Sequence, residues 1–139
     1  MFWIGIGCQK GISLQLVNVG ILQIFQQYQL ANSNISGLAT IDIKASEFAI
    51  KEYCQINNLP LKTFSAETLA GVCVPHPNQK LTEKVGTASV AEASAILAAL
   101  AITSDMNLLK LLVPKQVFRL PGETKAVTIA VVEILAFSS

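Results

Sequence analysis

The sequence predicts an α/β fold: a single three-layer domain over residues 1–139 with a mixed, mostly parallel sheet of about five strands and a C-terminal antiparallel hairpin. Three observations carry this expectation. Short apolar runs alternate with amphipathic or apolar helical stretches along the chain. Two glycine-bearing turns, Gly5-Ile6-Gly7-Cys8-Gln9-Lys10-Gly11 and Gly86-Thr87-Ala88-Ser89, each lead into a helix. Two strand-like runs close the sequence around a Pro121-Gly122 turn signal.

Trp3 to Gly7 reads as a short buried strand, and the glycines that follow let the backbone turn into a helix capped by Ser13. Leu14, Val17, Ile21, Ile24, Phe25 and Tyr28 then recur at helical spacing, opposite a glutamine- and asparagine-rich face, which predicts an amphipathic helix ending near Asn32. Ile35 to Ile43 is the second strand. A helix from Ser46 to Asn57-Asn58 follows, and Leu61 to Phe64 is the third strand. Ser65-Ala66-Glu67 starts a short helix through Ala70, closed by Gly71 in the position that tolerates a left-handed backbone. Val72 to Glu83, with Pro75, Pro77 and Asn78, reads as one long loop.

Ser89 with Glu92 three residues on is a capping box, and the helix body Ala91 to Ile102 is apolar nearly all round, which predicts burial. Leu108 to Val113 and Ala126 to Ile134 are the hairpin strands, joined through Pro114-Lys115-Gln116 and Pro121-Gly122.

Composition narrows the function classes. The chain is 52% apolar and only 14% charged, so uncharged polar residues must cover much of the surface. Ten basic against nine acidic side chains, with no Lys/Arg run, lack the electrostatic footprint of a nucleic-acid binder. No basic leader and no long apolar span point to a membrane, and the cytoplasm is the expected location. Cys8, Cys54 and Cys73 are too widely spaced for a metal knuckle and are expected as free thiols; neither a metal nor a cofactor is expected.

Two helix N-termini, each with unpaired N–H groups and partial positive charge, suggest a ligand with several carboxylates or phosphates. Gly5-Ile6-Gly7 lacks the third glycine of a dinucleotide loop, and no Gly-Lys-Ser/Thr follows. Cys8 stands where a helix start can lower a thiol pKa and make a nucleophile; a small buried thiol is the alternative. His76, between two prolines, is either a proton-transfer group or a solvated loop residue. Asp42, Lys44 and Glu47 cluster after the second strand, where they could position polar ligand groups or tie down a loop. Ser65 and Glu67 fit a cap and a first-turn acid as well as a site. Ser89 and Glu92 satisfy each other, leaving the N–H groups of Gly86, Thr87 and Ala88 for an anion. Lys115 and Gln116 could hold carboxylates at the hairpin edge. Most of these groups follow a strand, and ligands of open α/β sheets bind beyond the strand ends.

Taken together, Ile4-Gly5-Ile6-Gly7-Cys8, Ala39-Thr40-Ile41-Asp42-Ile43-Lys44 with Glu47, Phe64-Ser65-Ala66-Glu67, Val85 to Ala93 and Leu112-Val113-Pro114-Lys115-Gln116 resemble the CobE family of cobalamin-biosynthesis proteins. The same domain forms the C-terminal part of the cobalt-precorrin-5A hydrolase CbiG. The likeness runs from Trp3 to about Ile134, departing at Gln9-Lys10, where the family commonly carries two basic residues. It implies a precorrin-type tetrapyrrole as ligand, with Gly7, Gly11, Asp42, Lys44, Ser65, Gly86, Thr87, Ser89, Glu92, Lys115 and Gln116 as its contacts. In the longer relatives the whole protein opens a δ-lactone and releases acetaldehyde. With no N-terminal hydrolase region in view, binding or handing over an intermediate is the expected role. A catalytic version would ask Cys8, Glu47 or Glu67 to activate water or attack the lactone carbonyl. An accessory subunit completing another corrin-biosynthesis enzyme is the alternative, and a thiol enzyme unrelated to corrinoids comes third.

Overall fold

The computed structural model describes residues 1–42, 47–72 and 89–135. Its elements are β1 (Phe2–Cys8), α1 (Leu14–Gln27), β2 (Ile35–Ile41), α2 (Phe48–Ile56), β3 (Leu61–Phe64), α3 (Ala66–Ala70), α4 (Val90–Leu100), β4 (Leu109–Arg119) and β5 (Ala126–Ile134), with short 3-10 turns at Asn32–Asn34 and Met106–Leu108. The five strands form one sheet in the order β3-β2-β1-β5-β4. β1, β2 and β3 pair in parallel, while β5 runs antiparallel to both β1 and β4. β5 is thus the reversed member of an otherwise co-directional sheet, as the hairpin signal predicted.

Alternation along the strands sends side chains to two cores. Ile4 and Ile6 of β1, Leu38, Val113, Val127, Ile129 and Val131 pack beneath α1 and α2, against Leu16, Val17, Ile24, Phe25 and Ile50. Trp3, Ala39 and Val132 face the other way, onto the alanine-rich surface of α4. α4 is buried nearly all round and lies directly on β1: a Cβ on Gly5 would overlap the Ala91 carbonyl. Glycine at that position is what lets helix and strand backbones touch.

Local chemistry explains most boundaries. Ser13 caps α1, its hydroxyl accepting the Leu16 N–H at 3.1 Å. α1 stops at Gln27, earlier than the expected Asn32, because Gln29 takes a left-handed φ of 54° and the Leu30 N–H reaches back to the Phe25 carbonyl at 2.8 Å. α2 ends the same way, with Asn58 at φ 56° and the Leu59 N–H on the Cys54 carbonyl. Gly71 closes α3 as expected but with φ −81°, so the freedom of glycine is not used and the turn stays right-handed. α2 has Glu47 at its N-cap, the expected start at Ser46 lying outside the described residues.

β4 corrects the sequence reading. Instead of ending at Val113 it continues through Pro114 to Arg119, with register shifts between Leu111 and Val113 and between Val113 and Gln116. β4 is an edge strand, where a proline's missing N–H can be accommodated at a bulge and pairing resumes beyond it. Among the described residues, no helix is long and apolar enough to cross a membrane.

Candidate functional site

The chain leaves β1 for α1 on one face of the sheet, and α4 arrives with its N-terminus on the other. Their meeting point is Gly7. A Cβ placed there would lie 3.6 Å from Val90 Cβ and 3.8 Å from the Ala91 nitrogen, so the first glycine-bearing strand end touches the first turn of α4. The expected capping box is present: Ser89 Oγ accepts the Glu92 N–H at 3.1 Å, and Glu92 Oε1 accepts the Ser89 N–H at 3.2 Å. The Val90 and Ala91 N–H groups have no acceptor among the described residues. Beside them is a cleft of about 200 Å³ lined by Ile41, Ala66, Leu69, Ala70, Ser89 and Val90.

Glu92 is 5% exposed and braces this corner. Its second oxygen, Oε2, accepts the Lys115 N–H at 3.2 Å, so the carboxylate is held inward between α4 and β4. The Lys115 side chain is exposed, and Gln116, half-buried, lies in β4 opposite Ile129.

On the other side of β1, the Gly11 amide, expected to be open, is occupied: it donates to Glu47 Oε1 at 3.0 Å. Gly11 takes φ +80°, and its carbonyl accepts from Lys125 Nζ at 3.5 Å. Gln9 Oε1 accepts the Ala126 N–H at 2.9 Å. The β1–α1 loop is therefore pinned to the start of α2 by Glu47 and to the hairpin by Gln9 and Lys125. A cleft of about 330 Å³, lined by Gly11, Ile12, Ser13, Gly122, Glu123, Thr124 and Lys125, opens between that loop and the hairpin turn.

Cys8 is half-buried at the end of β1, paired with Val127, and Asp42 is exposed just past β2. Ser65 caps α3, accepting the Thr68 N–H at 3.2 Å and sharing a 2.8 Å hydrogen bond with the Thr68 hydroxyl; Glu67 is exposed in the first turn of that helix. Lys44, Cys73, His76, Gly86 and Thr87 lie outside the described residues. The structure brings Gly7 and Ser89 to one corner and ties Gly11 to Glu47 at another. Sequence reasoning passed over Val90, Ala91 and Lys125. The first two follow from the capping box by position; Lys125 meets Gly11 across 114 residues, with no local signal.

The arrangement offers backbone donors, a hydroxyl and a shallow apolar wall, suited to gripping an anionic group on a largely apolar body. Among the described residues, no three His, Cys, Asp or Glu side chains gather as metal ligands.

Residues 2–132 match the family described as cobalamin synthesis G C-terminus. No curated protein sequence matches the chain. Among solved structures, the chain is similar to CobE, a protein from the cobalamin biosynthetic pathway, with a TM-score of 0.74 and 22% identity over 97% of this chain and 91% of that one. It is also similar to the cobalamin biosynthesis protein chiG from Agrobacterium tumefaciens, with a TM-score of 0.69 and 25% identity over 95% of this chain and 97% of that one. A cobalamin biosynthesis protein G homolog from Sulfolobus solfataricus gives a TM-score of 0.66 and 21% identity over 96% of this chain, which spans only 36% of that longer chain. With the match running from the first residue of β1 into β5, this chain belongs to the cobalamin synthesis G C-terminal family and is a protein of the cobalamin-biosynthesis pathway.

Proposed function

We propose that this protein binds a polycarboxylated, precorrin-type tetrapyrrole at the carboxyl edge of β1–β3. The observation that carries the reading is the contact between Gly7 and the first turn of α4, beside the apolar wall of Ile41, Leu69 and Val90, with the Val90 and Ala91 amides open among the described residues. A carboxylate arm of the ligand accepts from these amides, where the helix dipole favours negative charge, and the macrocycle covers the apolar wall. Ser89 flanks the arm. Asp42, Lys44, Ser65, Gly86, Thr87, Lys115 and Gln116 remain candidate contacts for the other arms. Titration with hydrogenobyrinic acid, followed by calorimetry, tests the reading: saturable binding supports it, and no heat at high micromolar concentration overturns it.

Lactone opening is the finer version, with Cys8 and Glu67 as its candidate groups. Glu47 is a weaker one, because its carboxylate already holds the Gly11 amide. Unchanged lactone turnover after substitution of all three removes this version. The accessory reading draws support from the Sulfolobus homolog, in which the matching region is a minor part of a longer chain. Co-purification of a stoichiometric pathway enzyme from native extract, without bound pigment, favours it over the first.

A further inference from the structure

A second cleft lies away from this crevice, at the end of the molecule where β2 and β3 begin. About 230 Å³ in size, it is walled by Asn18, Ile21 and Leu22 of α1, Asn32 ahead of β2, and Tyr53 and Asn57 near the end of α2. Among the described residues no charged side chain lines it, and its polar side chains are three asparagine amides and one phenol.

Tyr53 is 7% exposed, and its hydroxyl has no hydrogen-bond partner among the described residues. A hydroxyl with no partner in the protein bonds to water or to a ligand, and this one is not sealed away. The fully enclosed side-chain polar atom without a partner among the described residues is Trp3 Nε1, so the Tyr53 oxygen reaches the open space it lines. Burial, and secondarily the neighbouring Cys54, push the phenol's pKa up from its ordinary value. The Asn57 amide is fixed because Nδ2 donates to the Tyr53 carbonyl at 2.9 Å, leaving Oδ1 as an acceptor. The side chains of Asn18 and Asn32 are exposed and uncommitted among the described residues, and Leu22 is 48% exposed.

We propose that this cleft binds a neutral, carboxamide-bearing ligand, with the amide group between the Tyr53 hydroxyl and the Asn57 Oδ1 and the apolar body over Leu22. The phenol donates to the ligand carbonyl, and Asn57 accepts from its NH₂. A carboxylate of the same shape has no hydrogen to offer the Asn57 oxygen, sets its charge against it and finds no cation among the described residues of the wall. The inference is independent of the corrinoid reading, because neither the residues nor the edge of the sheet are shared.

Nicotinamide and nicotinate, alike in shape and opposite in the property at issue, are the probes. In amide proton–nitrogen correlation spectra of the full chain, nicotinamide shifts the signals of Asn18, Leu22, Tyr53 and Asn57 saturably, and nicotinate at equal concentration leaves them in place. Tyr53→Phe removes only the unpartnered hydroxyl and weakens nicotinamide about fivefold. Asn18→Trp, on the exposed side of α1, puts an indole across the cleft and abolishes the shifts, and it decides the matter should Tyr53→Phe fail to fold. Equal response to both probes, no response to nicotinamide in the cleft, or full affinity in the folded variants overturns the proposal.

Discussion

The buried carboxylate of Glu92 accepts the backbone N–H of Lys115 at 3.2 Å, joining the first turn of α4 to the bulged middle of β4 across 23 residues of sequence. Its other oxygen closes the capping box on Ser89. One side chain therefore sets both the start of the helix beside Gly7 and the position of the edge strand. Glu92→Ala leaves two N–H groups without acceptors and should lower stability by about 2 to 3 kcal/mol in urea unfolding. Glu92→Gln, which keeps one acceptor oxygen, should fall between that variant and the parent. Equal stability of all three would mean that water replaces the brace.

Gly5 and Gly7 face the same helix and should respond very differently to the same change. A methyl group on Gly5 collides with the Ala91 carbonyl, a backbone atom that moves only if α4 lifts off β1. Gly5→Ala should cost about 3 kcal/mol or more, or prevent folding. At Gly7 the methyl makes ordinary contacts at 3.6 and 3.8 Å, so Gly7→Ala should stay within about 0.5 kcal/mol of the parent. Thermal melts of the pair check the contrast.

The features legible in the sequence were those written locally. Leu61 to Phe64, the Ser65 cap and the Ser89–Glu92 box each lie within a few residues, and each formed as read. The end of α1 escaped because Gln29 holds the left-handed position, where glycine or asparagine is the usual signal; Asn58 does the same job at the end of α2, and that boundary was readable. Pro114 looked like a strand break because edge position is a tertiary property, invisible in a single run of residues. At the site, the glycine turns were visible but their occupancy was not. The Gly11 amide is taken by Glu47 from 36 residues away, a pairing fixed only once β1 and β2 lie side by side.

Cys54 is 5% exposed in the core under α1 and α2, and burial pushes its thiol from 9.0 up to about 11. The folded state thus disfavours the thiolate. Its contribution to stability is complete below pH 9, where the unfolded thiol is still protonated, and is lost as pH rises from there toward about 11. Unfolding midpoints measured across that alkaline window should fall more steeply for the parent than for Cys54→Val. At neutral pH, alkylation followed by peptide mapping should leave Cys54 unmodified until the protein is unfolded.

Glu47 separates a latch from a catalyst. As a latch it needs only an acceptor oxygen for Gly11, which Glu47→Gln retains and Glu47→Ala lacks. Hydrogen exchange at the Gly11 amide should quicken about tenfold in the alanine variant and change little in the glutamine variant. Ligand affinity should follow the same order. Loss of lactone turnover in a Glu47→Gln protein whose Gly11 amide stays protected would instead assign the carboxylate to the chemistry.

Val90→Pro probes the proposed anion grip at a single atom. Proline is favoured at the first position of a helix, where its absent N–H breaks no intrahelical bond. Ser89 already has the extended conformation, φ −69° and ψ 164°, that a following proline requires. The substitution therefore removes the Val90 N–H while sparing the capping box, and the fold should persist with the parent's melting behaviour. Affinity for hydrogenobyrinic acid should drop about tenfold, the scale of one lost hydrogen bond to a charged group. Val90→Leu, which keeps the N–H, controls for the side-chain contact with Gly7 and should bind as the parent does. A stable Val90→Pro protein with undiminished affinity would move the ligand's acidic arm away from α4, even if the tetrapyrrole still binds.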